Sequence, residues 1–274
     1  MVCITDYLTQ DDVIKKYRID ELEKCLEMIE DEFANKINGG NYVTSESYFD
    51  IVLRCVGKSI LTLRELILLC KNGFPDGALG LARNIFEQFI IISRFEMEDE
   101  NNDRKRLIEK YCADYEIQRC KNKKKMYEYA GMTEKMKKYQ DAIDGYKKQF
   151  KIKQFGDCWW CGQNNFANLC KFIIDNTDDG CKTLVKNLHI SYKRACLALH
   201  ANSFGNSNRL CGTFSEINLS PTGEGQEYAL DLAVKSFIMV AMVAYRELEL
   251  DSRCANEQLN ELALFYQNMI LNKK

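Results

Sequence analysis

Proline is almost missing from this chain, with two residues in 274. Proline removes a backbone donor and breaks helices, so its scarcity permits long uninterrupted helices and argues against a sandwich or barrel. Histidine is just as scarce: His189 and His200 are the two in the sequence. No charge of one sign dominates, since 38 Lys and Arg against 40 Asp and Glu leave a net −2. That balance excludes a global affinity for nucleic acid and confines any such affinity to a local patch. Long hydrophobic runs are lacking too. The longest, around Phe89–Ile92 and Phe237–Ala244, are too short to span a bilayer, so no membrane association is expected. The opening MVCITDYLTQDD has no basic region followed by an apolar run, so no signal peptide is expected.

Cysteine is not lacking. Its thirteen residues are odd in number and scattered, several on apolar helical faces (Cys25, Cys55, Cys70, Cys170, Cys196). In a chain of this size they read as free thiols in a reducing cytoplasm rather than as a disulfide framework. Hydrophobic residues at 46% and charged residues at 28% supply a sizeable core.

Apolar periodicity gives the architecture. Asp11, Asp12 and the series Val13, Ile14, Leu22, Leu26, Ile29, Phe33 predict one amphipathic helix ending near Gly39-Gly40. Ser45 offers a cap for a second helix, apolar from Phe49 to Leu69 on more than one side. Asn72 to Gly77 reads as a turn, followed by a third helix from Ala78 to about Phe95. A short helix is expected over Asn164–Ile174, then a central helix from about Cys181 to Ala201, and two closing helices near Tyr228–Leu250 and Asn256–Asn272. Between these lies the longest loop-like stretch, Asn202–Gln226, of a length often used for lids or partner surfaces. The expectation is an all-α, multi-helix bundle of long helices with a basic helical hairpin inserted. It is read as a single helical domain over 1–274, with an acidic helix in 1–40, a basic arm in 100–153 and the histidine-bearing helices in 154–274.

The basic arm is dense in lysine, including Lys121, Lys123, Lys124 and Lys125, and is interleaved with Tyr111, Tyr115, Tyr127, Tyr129, Tyr139 and Tyr146. Such an arm can hold RNA phosphates and stack bases. Its acidic residues (Glu109, Asp114, Glu116, Glu128) dilute the field and fit a solvated hairpin equally. Cys158-Trp159-Trp160-Cys161 is a C-x-x-C pair, which could be half a zinc site or a redox pair. No second closely spaced pair completes a metal site, so no metal or cofactor is expected and the tryptophans read as a plug on the core.

Titratable groups gather in LHISYKRACLALHANSF, Leu188–Phe204. On a helix His189, Tyr192, Cys196 and His200 form one stripe, since eleven residues return to within about 20°. In the third helix Arg83 and Glu87 are four apart and share a face, either as a structural ion pair or lining a cleft. His200 itself reads either as a satisfied helix-end histidine or as an acid–base group.

Two resemblances follow from these residues. Gly77 followed by L-x3-R-x3-E (Leu79, Arg83, Glu87), then Trp160-x-Gly162, then Y-x3-S-x3-H with Tyr192 and His200 in place and Cys196 for the serine, resembles an uncharacterised bacterial family of helical proteins of unknown function. The likeness runs roughly from Ser45 to Phe204. It implies that Arg83, Glu87, Tyr192 and His200 converge from two packed helices, with Cys196 and Asn202 beside them. Arg194 and His200, spaced R-x5-H, resemble the signature of HEPN-superfamily ribonucleases, helical proteins common in toxins and phage defence, although Ala195 stands where a polar residue often follows the arginine. That likeness implies a homodimer cutting RNA without a metal, His200 moving a proton and Arg194 stabilising the phosphorane. The alternative is a non-catalytic helical module that senses a protein partner or small ligand.

Overall fold

The structure, a computed structural model, describes residues 9–39, 47–98, 103–152, 156–199, 225–250 and 253–272. The chain is all-α. Among the described residues it forms ten α-helices, one 3-10 turn and no strand. In chain order these are α1 (Gln10–Lys16), α2 (Ile19–Gly39), α3 (Tyr48–Lys71), α4 (Pro75–Glu96), α5 (Asp103–Tyr129), α6 (Thr133–Gln149), α7 (Phe166–Asn176), α8 (Asp179–Leu199), α9 (Gln226–Leu248) and α10 (Arg253–Leu271), with the 3-10 turn Trp159–Cys161 between α6 and α7.

Three boundaries differ from the sequence expectation for physical reasons. The single N-terminal helix is two, broken at Arg18, whose φ is 50°. The break lets Tyr17 turn fully inward and donate its hydroxyl to Glu227 at 3.1 Å, while Arg18 pairs with Glu21 and Glu261. Helix α4 starts at Pro75 rather than Ala78, because proline needs no donor in a first helical turn. Helix α3 opens after Ser47, whose hydroxyl accepts from the Asp50 amide at 3.3 Å; Ser45 lies outside the described residues.

Two compact units result. The first combines Met1–Val43, Val52–Ile92 and Thr183–Lys274. Its centre is α9, in which Ala229, Leu232, Val234, Phe237, Val240 and Ala244 are all fully buried. A helix apolar all round belongs in a core. The apolar character extends well beyond the run at 237–244: by length and composition α9 alone among the described helices could cross a membrane, yet 72% of its apolar window is buried inside the protein. Helix α2 packs on α10, tied by Cys25 to Gln258 and by Tyr266, whose hydroxyl donates to the Tyr17 carbonyl at 2.9 Å.

The second unit combines Thr44–Ile51 with Ser93–Lys182. Here α5 pairs with α6 across a tight turn at Gly131, which takes φ of 67° as glycine readily does. Buried side chains on α5 end at Cys120 and α6 buries Ile143, so the tip of the hairpin stands in solvent. Trp159 and Trp160 are buried against α5 and the end of α4, as the plug reading expects.

Candidate functional site

Helices α4 and α8 meet around Phe86. Its ring lies 6.5 Å from His189 in a stacked arrangement and 5.1 Å from Tyr192. One turn along α4 from Arg83, Glu87 receives the Tyr192 hydroxyl at 3.1 Å and faces the Arg83 guanidinium at 3.8 Å, both on the same carboxylate oxygen. The guanidinium also sits over the Tyr192 ring at 5.4 Å. The i, i+4 spacing on α4 and the stripe on α8 thus bring Arg83, Glu87 and Tyr192 into one half-buried network.

The electrostatics follow from that packing. Burial, then the Glu87 carboxylate, push the Tyr192 hydroxyl well above its ordinary range, so Tyr192 remains a donor. Burial works against the Arg83 charge, but Tyr192, Cys196 and Glu87 together raise its pKa. Arg83 Nε is buried without a hydrogen bond. His189 is pulled below its ordinary value, first by burial and then by Lys193, so it is neutral near pH 7; its Nε2 is buried and makes no hydrogen bond. Cys196, one turn beyond Tyr192, is a half-buried free thiol.

Arg194 is placed differently. It is exposed on α8, its guanidinium carbon 3.9 Å above the ring of Tyr228 in the first turn of α9, and it makes no ion pair among the described residues. His200 and Asn202 lie outside the described residues. Lys121, Lys123 and Lys125 are exposed on α5 and Lys124 is half-exposed, all in the second unit. Sequence reasoning missed two partners, Phe86 under His189 and Tyr228 under Arg194. Each reads as ordinary core or loop-edge aromatic, and only tertiary packing shows the pairing.

Among the described residues no three His, Cys, Asp or Glu side chains gather where a metal could be held. A cleft of about 290 Å³ between α2 and α3 is lined by Glu23, Leu26, Arg64, Ile67, Leu68 and Lys71. Its cations are already engaged, Lys71 with Glu23 at 2.5 Å and Arg64 with Glu30.

A family model described as a family of unknown function, DUF5677, matches residues 49–216. The chain belongs to that family. The match takes in α3 to α8, hence Arg83, Glu87, Tyr192, Cys196 and Arg194, together with the C-x-x-C turn and the basic hairpin. The DUF5677 region leaves out α1, α2, α9 and α10, so Tyr228, on which Arg194 rests, is contributed from beyond it. No curated protein and no solved structure matches the chain.

Proposed function

We propose that this DUF5677 protein is a metal-independent, HEPN-like endoribonuclease acting as a toxin or phage-defence effector, in the cytoplasm and as a homodimer. The observation that carries the reading is Arg194: an exposed guanidinium, laid flat on Tyr228 and unpaired with any carboxylate among the described residues. Stacking fixes the plane of the fork while leaving its N–H groups for a phosphate, which arginine binds in bidentate fashion. Six residues on in the sequence, His200 supplies the titratable group of the R-x5-H pattern.

RNA carries its own nucleophile in the 2′-hydroxyl. Cleavage then needs a base to take that proton, an acid to protonate the departing 5′-oxygen, and positive charge on the phosphorane. His200 serves the proton transfers and Arg194 the charge. Lys121, Lys123, Lys124 and Lys125 supply phosphate contacts, and Tyr129, 81% exposed near the hairpin tip, a stacking face.

The test is RNA cleavage by purified protein in EDTA, with Arg194→Ala and His200→Ala alongside. Both variants are expected to lose cleavage while keeping the wild-type helical spectrum. A wild type that cuts no RNA, or variants that cut as well as it does, would overturn the reading. The second reading, a binding module for a protein or small ligand, is favoured by the Arg83–Glu87–Tyr192 network, in which Arg83 and Tyr192 share one Glu87 oxygen while Arg83 Nε is buried with a donor to spare. It expects no turnover on any RNA.

A further inference from the structure

The Cys158-Trp-Trp-Cys161 turn takes no part in that function, yet it is built with care. The Cys161 amide donates to the Cys158 carbonyl at 3.2 Å, and the Gln163 amide donates to the same oxygen at 3.1 Å. Gly162 closes the turn with φ of 79°, in the left-handed region. A turn bonded in this way holds its first and last Cα atoms within about 7 Å, the range a disulfide bridges at up to about 6.8 Å. The Cys161 thiol itself reaches the Cys158 carbonyl at 3.1 Å. Both cysteines are free thiols, 6% and 7% exposed.

The walls are packed aromatic rings and charged side chains. Trp160 stacks on Phe95 at 5.4 Å and meets the edge of Tyr111 at 4.9 Å, while Trp159 donates its indole N–H to Asp114 at 2.5 Å. Arg94, 7% exposed, lies over Phe172 and pairs through one nitrogen with Glu98, but its Nε and Nη1 are buried and make no hydrogen bond. The two sulfurs are not equivalent. The Cys158 side chain, against the opposing effect of burial, draws Cys161 below the ordinary thiol range, helped by the Gln163 amide and Arg94; Cys158 is pushed up, by Cys161 first and then by burial. A sulfur beside a cation and amide donors is the reactive one of such a pair.

We propose that Cys158 and Cys161 form a dithiol site for hydrogen peroxide, with Cys161 the attacking and Cys158 the resolving thiol, closing to a reversible disulfide within the turn. The Cys161 thiolate attacks one peroxide oxygen. The O–O bond breaks, a sulfenic acid forms at Cys161, and the departing hydroxide takes a proton to leave as water. The Cys158 sulfur then attacks the Cys161 sulfur, the S–O bond breaks, and the hydroxyl leaves with the Cys158 proton as a second water. Two thiols lose two electrons and two protons, and one peroxide becomes two waters. Burial selects for this oxidant, because a bulky disulfide such as oxidised glutathione has no open approach to sulfurs this enclosed.

Peroxide treatment of the full chain, followed by alkylation under denaturing conditions and peptide mass analysis, tests the site. The peptide holding both cysteines is expected to lose both alkylations, to be lighter by two hydrogens, and to regain both labels after dithiothreitol. In Cys158→Ser the product is expected to stop at a sulfenic acid on Cys161 that dimedone traps, and in Cys161→Ser residue 158 is expected to stay reduced. Wild-type peptide alkylated as fully as the untreated control would overturn the proposal, and so would Cys158→Ser protein without a dimedone adduct at Cys161. In a parallel sample alkylated without denaturant, Cys55 and Cys70, buried with thiols pushed high, report folding: they are expected to stay unlabelled.

Discussion

One oxygen of Glu87 serves two donors, the Tyr192 hydroxyl and the Arg83 guanidinium, and the Tyr192 bond joins α4 to α8 beside the ring contacts of Phe86. The neighbouring His189 has no such partner. Its pKa lies below the ordinary 6.5, chiefly through burial. The unfolded chain therefore binds a proton that the folded chain refuses, and stability is lost as pH falls from 6.5 toward the lower folded value, with no effect above 6.5. Urea midpoints taken between about pH 7.5 and about pH 5 are expected to fall for the wild type, and to fall less for His189→Gln. Equal slopes would show that His189 is not the group responsible. Arg83 and Glu87 were legible as a pair because helical spacing fixes their common face, whereas their meeting with Tyr192, on another helix, was implied only by the resemblance to a family of helical proteins. Arg194 was legible as a residue type only. Its partner, Tyr228, lies 34 positions along the chain (228 − 194) on another helix, and no local pattern encodes that meeting.

At the scale of elements, amphipathic periods reported the helices well, and turns poorly. The break at Arg18 carries no glycine or proline to announce it; burial of Tyr17 drives it. Pro75, read as part of a loop, is the first residue of α4, since the same missing N–H suits either place. The C-x-x-C turn depends on a contact no motif records: a Cβ on Gly156 would stand 1.9 Å from the Asn164 carbonyl oxygen. The atoms it would meet, the Asn164 carbonyl oxygen, carbonyl carbon and Cα, all belong to backbone, so no side-chain rotation relieves the clash. Gly156→Ala is expected to destabilise by about 1–3 kcal/mol or more and to expose Trp159 and Trp160, read as a red shift of tryptophan fluorescence. Unchanged emission and an unchanged melting midpoint would show that the backbone relaxes freely there.

At the scale of the molecule, the first unit is sewn together from distant chain. Tyr17 meets Glu227 across 210 residues and the Tyr266 hydroxyl across 249, Arg18 meets Glu261 across 243, and Tyr245 meets Glu32 across 213. Tyr266 is fully buried in this seam. Tyr266→Phe keeps the ring and removes the buried hydroxyl that donates to the Tyr17 carbonyl, for an expected cost of about 1–2 kcal/mol. Tyr266→Ala also opens a cavity, for about 3–5 kcal/mol. Denaturant titrations of the two variants separate the hydroxyl from the ring, and equal losses would mean the ring contributes nothing.

That seam also sets a waiting time during synthesis. A ribosome adding about 5–20 residues per second needs roughly 12–50 s to make the stretch separating Tyr17 from Tyr266. The second unit is drawn almost wholly from one later run of chain, Ser93–Lys182, and can close soon after that run emerges. Helix α2 cannot. Its α3 neighbour, paired through Lys71 with Glu23 and Arg64 with Glu30, emerges early, but the side of α2 that meets α10, where Cys25 reaches Gln258, stays without its native cover until α10 leaves the tunnel near the end of the stretch.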